Sequence, residues 1–392
     1  MMVNTVSRKK IAAASAALSL TAALGACSTA QAPPQENAAA APAVVADPVT
    51  VTYDGGVYVL DGRTLEVVED LPLVGFNRLN PAGDDRHVLV STATGFRVLD
   101  AAGAILSDVE FKGAKPGHVV PHAGRTVLFS DGTGEVTVFD PEALGAGMPP
   151  TEVYRTPEPH HGVAIELSNG ELVVTIGNEE ERVGIRVLDA ARKEIARSED
   201  CPGVHGEATA QGEAVVIGCE NGALIYRGGT ITKVTSPTEY GRIGNQAGSA
   251  ASPIVLGDYK KDEHAELERP QQVSLIDTTN GSLRLVDIGT SYTFRSLARG
   301  PRGEALVLGT DGAIHQIDPA TAQVTRTIPV LAPWQEPLEW QQPRPAIFVR
   351  GGTAYITDPA GKKIHAIDLA SGNALATGDL PAIPNELSGV RS

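Results

Sequence analysis

Cysteine, aromatic residues and long apolar runs are all scarce in this chain of 392 residues. There are three cysteines, and aromatic residues make up 4% of the sequence. The longest apolar run, residues 11–24, is too short to cross a membrane as a helix. The 32 Lys and Arg side chains are outnumbered by 47 Asp and Glu side chains, which gives a net charge of −15. This charge disfavours nucleic acid and anionic lipid as partners.

Sequence signatures of common enzymes are also missing. The chain has no GxSxG nucleophile elbow, no phosphate-binding Walker loop, no HExxH motif and no spacing that identifies a pair of catalytic carboxylates. We therefore do not expect an enzyme. Two alternatives of different classes stay open: a propeller hydrolase or lactonase that uses central histidines, and a protein-interaction scaffold that needs no metal.

The N-terminal segment has the features of an export signal. The basic residues Arg8–Lys10 precede the apolar run, and the following Leu24-Gly25-Ala26-Cys27 resembles the lipobox of bacterial lipoproteins. The resemblance implies a signal peptide over 1–26, lipidation of Cys27 and anchoring at the outer face of the cell membrane. An ordinary secretory signal is the alternative. Residues 27–48, rich in Ala, Pro and Gln, are typical of a flexible linker.

The other two cysteines, Cys201 and Cys219, suit the same compartment. In an oxidising environment an isolated pair is most simply a disulfide, which we predict here. A metal site with two thiolates is the alternative, but the spacing is not CxxC.

An internal repeat predicts the fold. Short apolar strands that end in Asp, or its equivalent, recur at intervals of about 40 to 50 residues, the length of a four-stranded propeller blade. Eight such strands predict an all-β, eight-bladed propeller over residues 49–392, with seven blades as the alternative, and we expect a monomer. The first unit lacks its inner strand. We predict that the C-terminal segment Pro384–Val390 supplies it and closes the ring. The repeated strands are VYVLD, FRVLD, VTVFD, IRVLD, ALIYR, VSLID, IHQID and IHAID.

Histidines mark three successive repeats, each just ahead of an inner strand. Inner strands of a propeller surround the axis, so imidazoles far apart in sequence can share one metal ion there. A structural role gives no reason for histidines to recur in this way, and we therefore predict a zinc-type site. The candidate ligands are His118, His122, His160, His161 and His205.

Two carboxylates accompany these histidines. Asp131 ends the strand TVLFSDG, and Glu207 follows His205 by two residues. Either one can complete a tetrahedral zinc site as an oxygen ligand, or orient a ligating imidazole from behind. By contrast, we expect polar cross-strand roles for His315 and His365, and His87 is interpreted as a surface turn residue.

Several segments resemble a known family. PHHGVAIEL, CPGVHGEA, GCENGALIY, GAIHQID and QQPRPAIFVRGGTAYITDPAGKKIHAID are similar to segments of the AztD-like extracytoplasmic zinc metallochaperones, from about Val51 to Leu380. The resemblance implies an eight-bladed propeller that binds Zn²⁺ and passes it to the solute-binding protein of a zinc ABC importer. By matching motif, it implies His122, His161 and His205 as ligands, with His118, His160, Asp131 and Glu207 nearby.

The sequence departs from the family pattern at two places. Family members often carry a His-rich segment near the N-terminus and a His before the Trp of the late WxxPRP segment. Here no histidine precedes His87, and Glu339 stands ahead of Trp340. The departures imply that a second, weaker zinc site is missing or has become a carboxylate site.

Overall fold

A computed structural model of the protein describes residues 44–391, and this part of the chain is built from 32 short strands and one 3-10 helix. The strands form eight four-stranded antiparallel sheets, which confirms the predicted eight-bladed propeller. The predicted signal peptide 1–26, Cys27 and most of the linker 27–48 lie outside the described residues. Within 44–391, no helix has the length and apolar character needed to cross a membrane.

Each sheet is one blade, and the strands follow one another from the axis outward. Blade 1 contains β1 (Val49–Tyr53), β2 (Gly56–Leu60) and β3 (Val67–Pro72). Blade 2 contains β4 (Arg78–Pro81), β5 (His87–Ser91), β6 (Gly95–Asp100) and β7 (Ile105–Lys112). Blade 3 contains β8 (Pro116–His122), β9 (Arg125–Ser130), β10 (Glu135–Phe139), the 3-10 helix Pro141–Ala146 and β11 (Thr151–Arg155). Blade 4 contains β12 (Ala164–Glu166), β13 (Leu172–Gly177), β14 (Arg182–Leu188) and β15 (Glu194–Ser198).

The second half of the ring repeats this plan. Blade 5 contains β16 (His205–Ala210), β17 (Ala214–Cys219), β18 (Gly222–Arg227) and β19 (Thr230–Thr235). Blade 6 contains β20 (Gln246–Ala247), β21 (Ile254–Gly257), β22 (Gln272–Asp277) and β23 (Ser282–Asp287). Blade 7 contains β24 (Leu297–Arg299), β25 (Ala305–Leu308), β26 (Ala313–Asp318) and β27 (Gln323–Pro329). Blade 8 contains β28 (Ile347–Arg350), β29 (Thr353–Asp358), β30 (Lys363–Asp368) and β31 (Ala374–Asp379), and β32 (Leu387–Gly389) is the last strand.

The hydrophobic core lies between the blades. Second strands are mainly apolar and buried because both of their faces are covered, as in β17, where every residue is buried. In the interface between blades 4 and 5, for example, Val187 of β14 belongs to the same buried cluster as Val215 of β17. Outer strands such as β3 are largely exposed. Each blade is therefore held by its two neighbours, and the geometry of the ring fixes the inner strands.

The two ends of the propeller domain pair with each other. The last strand, β32, lies antiparallel to β1, with Val49 opposite Gly389 and Val51 opposite Leu387. It thus takes the inner position of blade 1. This confirms the prediction that the segment Pro384–Val390 supplies the missing inner strand.

The antiparallel order gives the propeller two distinct faces. Each outer strand ends, and the next inner strand begins, at what we call the connection face. The turns between second and third strands lie at the same face. The described chain begins at the opposite face, where the amide of Val45 donates to the carbonyl of Ala102 in the turn between β6 and β7.

Candidate metal centre

Three histidines from neighbouring blades meet at the connection face. His118 lies near the start of β8, His161 lies just before β12, and His205 is the first residue of β16. One ring nitrogen of each lies within 4.8 Å of the other two. The ring centroids are 5.0 to 5.5 Å apart. These positions are near-equivalent in blades 3, 4 and 5, and the ring geometry brings them together.

Carboxylates lie behind two of these imidazoles. Nδ1 of His161 is 2.5 Å from Oδ2 of Asp131, and Nδ1 of His118 is 3.2 Å from Oε2 of Glu207. A carboxylate accepts, so Nδ1 of His161 donates to Asp131 and its lone pair remains on Nε2; the Glu207 carboxylate lies close enough to Nδ1 of His118 to favour the same tautomer there. Of the two roles that the sequence left open for these acids, their placement favours orienting the imidazoles.

The third imidazole is held by the backbone. Nδ1 of His205 donates to the carbonyl oxygen of Gly244 at 2.6 Å. Burial lowers the pKa of His205 well below its usual value, and the nearby His118, His161 and Arg242 lower it further. The His205 imidazole is therefore kept neutral, which is the form that binds a metal ion. Sequence reasoning missed Gly244, because any residue can supply a carbonyl.

His122 does not share this space, although the family resemblance implied it as a ligand. It is the last residue of β8, four residues after His118, which places it about 13 Å away along the strand at ~3.3 Å per residue. Its Nε2 lies 2.8 Å from Oε1 of Glu213. In the structure, His118 and not His122 is the third member of the cluster.

His160 also lies apart from the cluster, although it adjoins His161 in sequence. Its side chain is buried, with Nδ1 3.0 Å from the carbonyl oxygen of Glu158 and Nε2 3.0 Å from Oγ1 of Thr175. Burial lowers the pKa of His160. Both ring nitrogens are occupied, so this residue serves the packing of blade 4.

The remaining histidines are dispersed over the molecule. The interpretation of His87 as a surface turn residue is wrong: it is buried, and its Nδ1 lies 2.5 Å from Oδ2 of Asp84. His365 contacts a threonine on the adjacent outer strand, as the predicted cross-strand role requires, whereas His315 contacts Asp311 in the turn before its own strand. His264 is exposed. Among residues 44–391, no second group of three or more His, Cys, Asp or Glu side chains gathers closely enough for a metal ion.

A disulfide joins Cys201 to Cys219, which confirms the predicted pairing. Both residues are fully buried. Cys201 precedes His205 by four residues, and the carbonyl of Cys219 accepts from the amide of Ile243, the neighbour of Gly244. The bond therefore links the segment that carries His205 to the segment that orients it.

The fold and this cluster define a class of protein: an eight-bladed β-propeller with a candidate three-histidine metal centre at one face. Three imidazoles with free Nε2 lone pairs suit Zn²⁺, which commonly takes three protein ligands and leaves a fourth position open. Two of the side chains are accessible from solvent, with exposed fractions of 44% for His161 and 24% for His118. A bound ion can therefore enter and leave.

Comparison with known proteins identifies the relatives. The chain is 28% identical over 284 residues to the zinc chaperone AztD of Citrobacter koseri, an alignment that covers 70% of this chain and 65% of that protein. The structure of apo AztD from Citrobacter koseri matches with a TM-score of 0.76 at 24% identity and covers 88% of this chain and 96% of that one. The resemblance to AztD-like proteins is thereby confirmed.

More distant structures share only the propeller. The dihydro-heme d1 dehydrogenase NirN, solved in complex with DHE, matches with a TM-score of 0.54 at 14% identity, over 88% of this chain and 74% of that one. No model of a known protein family matches the chain.

Proposed function

We propose that this protein is a zinc carrier that binds Zn²⁺ through the Nε2 atoms of His118, His161 and His205 and passes it to the solute-binding protein of a zinc ABC importer. The observation that carries the proposal is the meeting of three imidazoles whose Nδ1 atoms all face an oxygen acceptor. This arrangement leaves three neutral nitrogen donors pointed at one ion. The name of the curated relative, a zinc chaperone, supports the same reading.

Zinc is the cargo in this proposal, so the site must release it as well as bind it. The cluster lies at a face of the propeller, and two of its three imidazoles are accessible from solvent. A partner that approaches the connection face reaches the ion without any blade having to open. A carrier also needs no group that activates a substrate, and in this respect the proposal differs from a hydrolase.

The proposal includes the compartment. Lipidation at Cys27 would hold the protein at the outer face of the cell membrane, where the disulfide and an importer's solute-binding protein both belong. The described chain begins at the face opposite to the histidines, so the attachment point of the linker does not obstruct the cluster.

The experiment combines binding with transfer. The metal-free protein is titrated with zinc, and the loaded protein is then mixed with the cognate solute-binding protein in the presence of a chelator that captures free ions. We expect one tight site per chain and transfer faster than capture by the chelator. Absence of zinc binding defeats the whole proposal, whereas transfer no faster than capture leaves a zinc-binding propeller and defeats the carrier role. Turnover of esters or lactones by the loaded protein would favour the hydrolase instead.

A further inference from the structure

Two arginines lie near the histidine cluster, and the proposed zinc site does not use them. Arg182 begins β14 at the connection face. Together with His161 and Asp131 it lines a cavity of 540 Å³, whose other charged residues are Lys115, Glu179, Glu180 and Glu181. The guanidinium of Arg182 therefore borders the same space as the most exposed imidazole of the cluster.

Arg242 lies near His205, in the connection between blades 5 and 6. Its guanidinium rests on Gly244: a Cβ atom at that glycine would fall 2.3 Å from Nη1 of Arg242. The carbonyl of Gly244 is the acceptor for Nδ1 of His205. Gly244 thus lies next to both the guanidinium of Arg242 and the imidazole of His205.

Neither guanidinium has an ion-pair partner within residues 44–391, where no carboxylate oxygen comes within 4.0 Å of either. The acids nearest the histidines are already engaged, Asp131 by His161 and Glu207 by His118. Glu220 and Asp131 are close enough to raise the pKa of Arg182 without forming an ion pair with it. Both residues are partly buried, so these two cations have lost part of their water without gaining a carboxylate in direct contact.

The charges around the two arginines also favour binding of an anion. Burial lowers the pKa of Arg182 and repulsion from Arg242 lowers it further, and this lowering outweighs the opposite effect of Glu220 and Asp131. Adding Zn²⁺ between three neutral imidazoles increases the positive charge at this place. Such a pair of unpaired guanidinium groups is unfavourable beside a divalent cation unless an anion joins them.

We infer that Arg182 and Arg242 form a carboxylate-binding site beside the three-histidine centre, and that the carboxylate held there supplies the fourth ligand of the zinc ion. This inference rests on the proposed function. One carboxylate oxygen replaces a water molecule on the metal, and the second accepts hydrogen bonds from guanidinium groups. Carboxylate suits both demands, because it ligates zinc at about 2.0 to 2.2 Å and matches the planar fork of arginine.

The carboxylate has two possible sources, a free small anion or an Asp or Glu side chain of the zinc acceptor. In the second case, binding of the acceptor already begins the transfer of zinc, because the acceptor's carboxylate coordinates the ion before the histidines dissociate from it. The chemistry at the arginines is the same in both cases, and the test separates them.

The test uses Co²⁺ in place of Zn²⁺ in the full protein, because its visible absorption reports the ligands. Acetate is titrated into the Co²⁺ protein in one arm, and in the other a blocked short peptide with a single glutamate, with its glutamine counterpart as control. The variants are Arg182→Gln and Arg242→Gln. Arg63→Gln is the matched control, since Arg63 is exposed and pairs with Asp47 away from the cluster.

We expect acetate to change the Co²⁺ spectrum of the wild type and of Arg63→Gln. Half-saturation in either cluster variant should need at least about tenfold more acetate, the factor that corresponds to about 1.4 kcal/mol. A response to the glutamate peptide at much lower concentration than to acetate identifies an acceptor side chain as the source; equal responses identify a free anion. Identical acetate titrations in all four proteins, or no spectral change, overturn the inference while leaving zinc binding intact. Failure of the wild type to bind Co²⁺ or Zn²⁺ overturns the proposed function itself.

Discussion

Nδ1 of His161 lies 2.5 Å from Oδ2 of Asp131, and this contact joins two neighbouring blades. Asp131 directly follows β9 of blade 3, whereas His161 precedes β12 of blade 4. The pair therefore couples the packing of adjacent blades to the orientation of a candidate metal ligand. Such a contact is worth testing apart from the ligands themselves.

Asp131→Ala should lower zinc affinity about 10- to 100-fold without abolishing binding, because the imidazole loses the acceptor that fixes its tautomer. Competition with a calibrated chelator measures the change. Asp311→Ala is the matched control, since Asp311 contacts the ring of His315 at 3.0 Å outside the cluster. Equal affinities in the two variants would contradict the role of Asp131.

His118→Ala should weaken zinc binding more than loss of a supporting group does, by over about 100-fold, because a ligand itself is removed. His122→Ala should leave zinc affinity unchanged, since that imidazole lies at the other end of β8 and contacts Glu213. Zinc titrations of the two variants directly compare the contributions of two histidines of the same strand to zinc affinity. The opposite ranking would restore His122 as the ligand.

Replacement of both Cys201 and Cys219 by alanine should lower the free energy of unfolding by about 3 kcal/mol, as expected for a disulfide that closes a loop of this length. Urea denaturation measures this loss. The wild type, exported and kept free of reductant, should show no alkylatable thiol at either position. Quantitative labelling of both residues would argue against the bond.

The metal-free protein should lose stability as the pH falls below about 6.5. Because the pKa of His205 in the folded protein is well below that of the unfolded chain, only the unfolded chain takes up this proton just below pH 6.5. The free energy of unfolding then decreases down to the folded-state pKa and does not depend on His205 above pH 6.5.

Urea denaturation of the wild type, His205→Gln and His264→Gln on both sides of pH 6.5 checks this. The loss should be smaller in His205→Gln and unchanged in His264→Gln, whose imidazole is exposed. A similar pH dependence in all three proteins would show that His205 does not contribute.

Cys27→Ala should release the protein from the membrane or block its processing, because the lipid attachment residue is lost. Membrane fractionation and the mass of the mature protein report the two effects. Ser28→Ala, the adjacent change, is the control and should remain anchored. Unchanged fractionation and mass in Cys27→Ala would favour an ordinary secretory signal.

The fold was predictable because a propeller repeats its pattern. Strands such as IRVLD and VSLID recur in sequence, and their regular spacing indicates the blades before any contact is known. The same repeat placed His161 and His205 at near-equivalent positions, and the structure brings these two residues together. Pairing of the two cysteines was predictable from their number and from the oxidising compartment that the predicted export signal implies.

The choice between His118 and His122 could not be made in this way. Both belong to β8, four residues apart, and the backbone irregularity between Pro116 and Val119 that sets the start of this strand leaves no mark in the sequence. Gly244 contributes only its carbonyl oxygen. His87 is followed by an apolar run, yet nothing in its residue type shows that Asp84 accompanies it into the interior.

Closure of the ring by β32 and β1 has a consequence for the life of the nascent chain. The strand that completes blade 1 follows all the other strands of the ring in chain order, so the β1 edge of blade 1 stays open until β32 has been synthesised. Joining segments so distant in sequence is slow, and the waiting period exposes the chain to proteases and to self-association. Loss of the β32 segment alone would therefore reduce the yield of folded protein even though the histidines remain untouched.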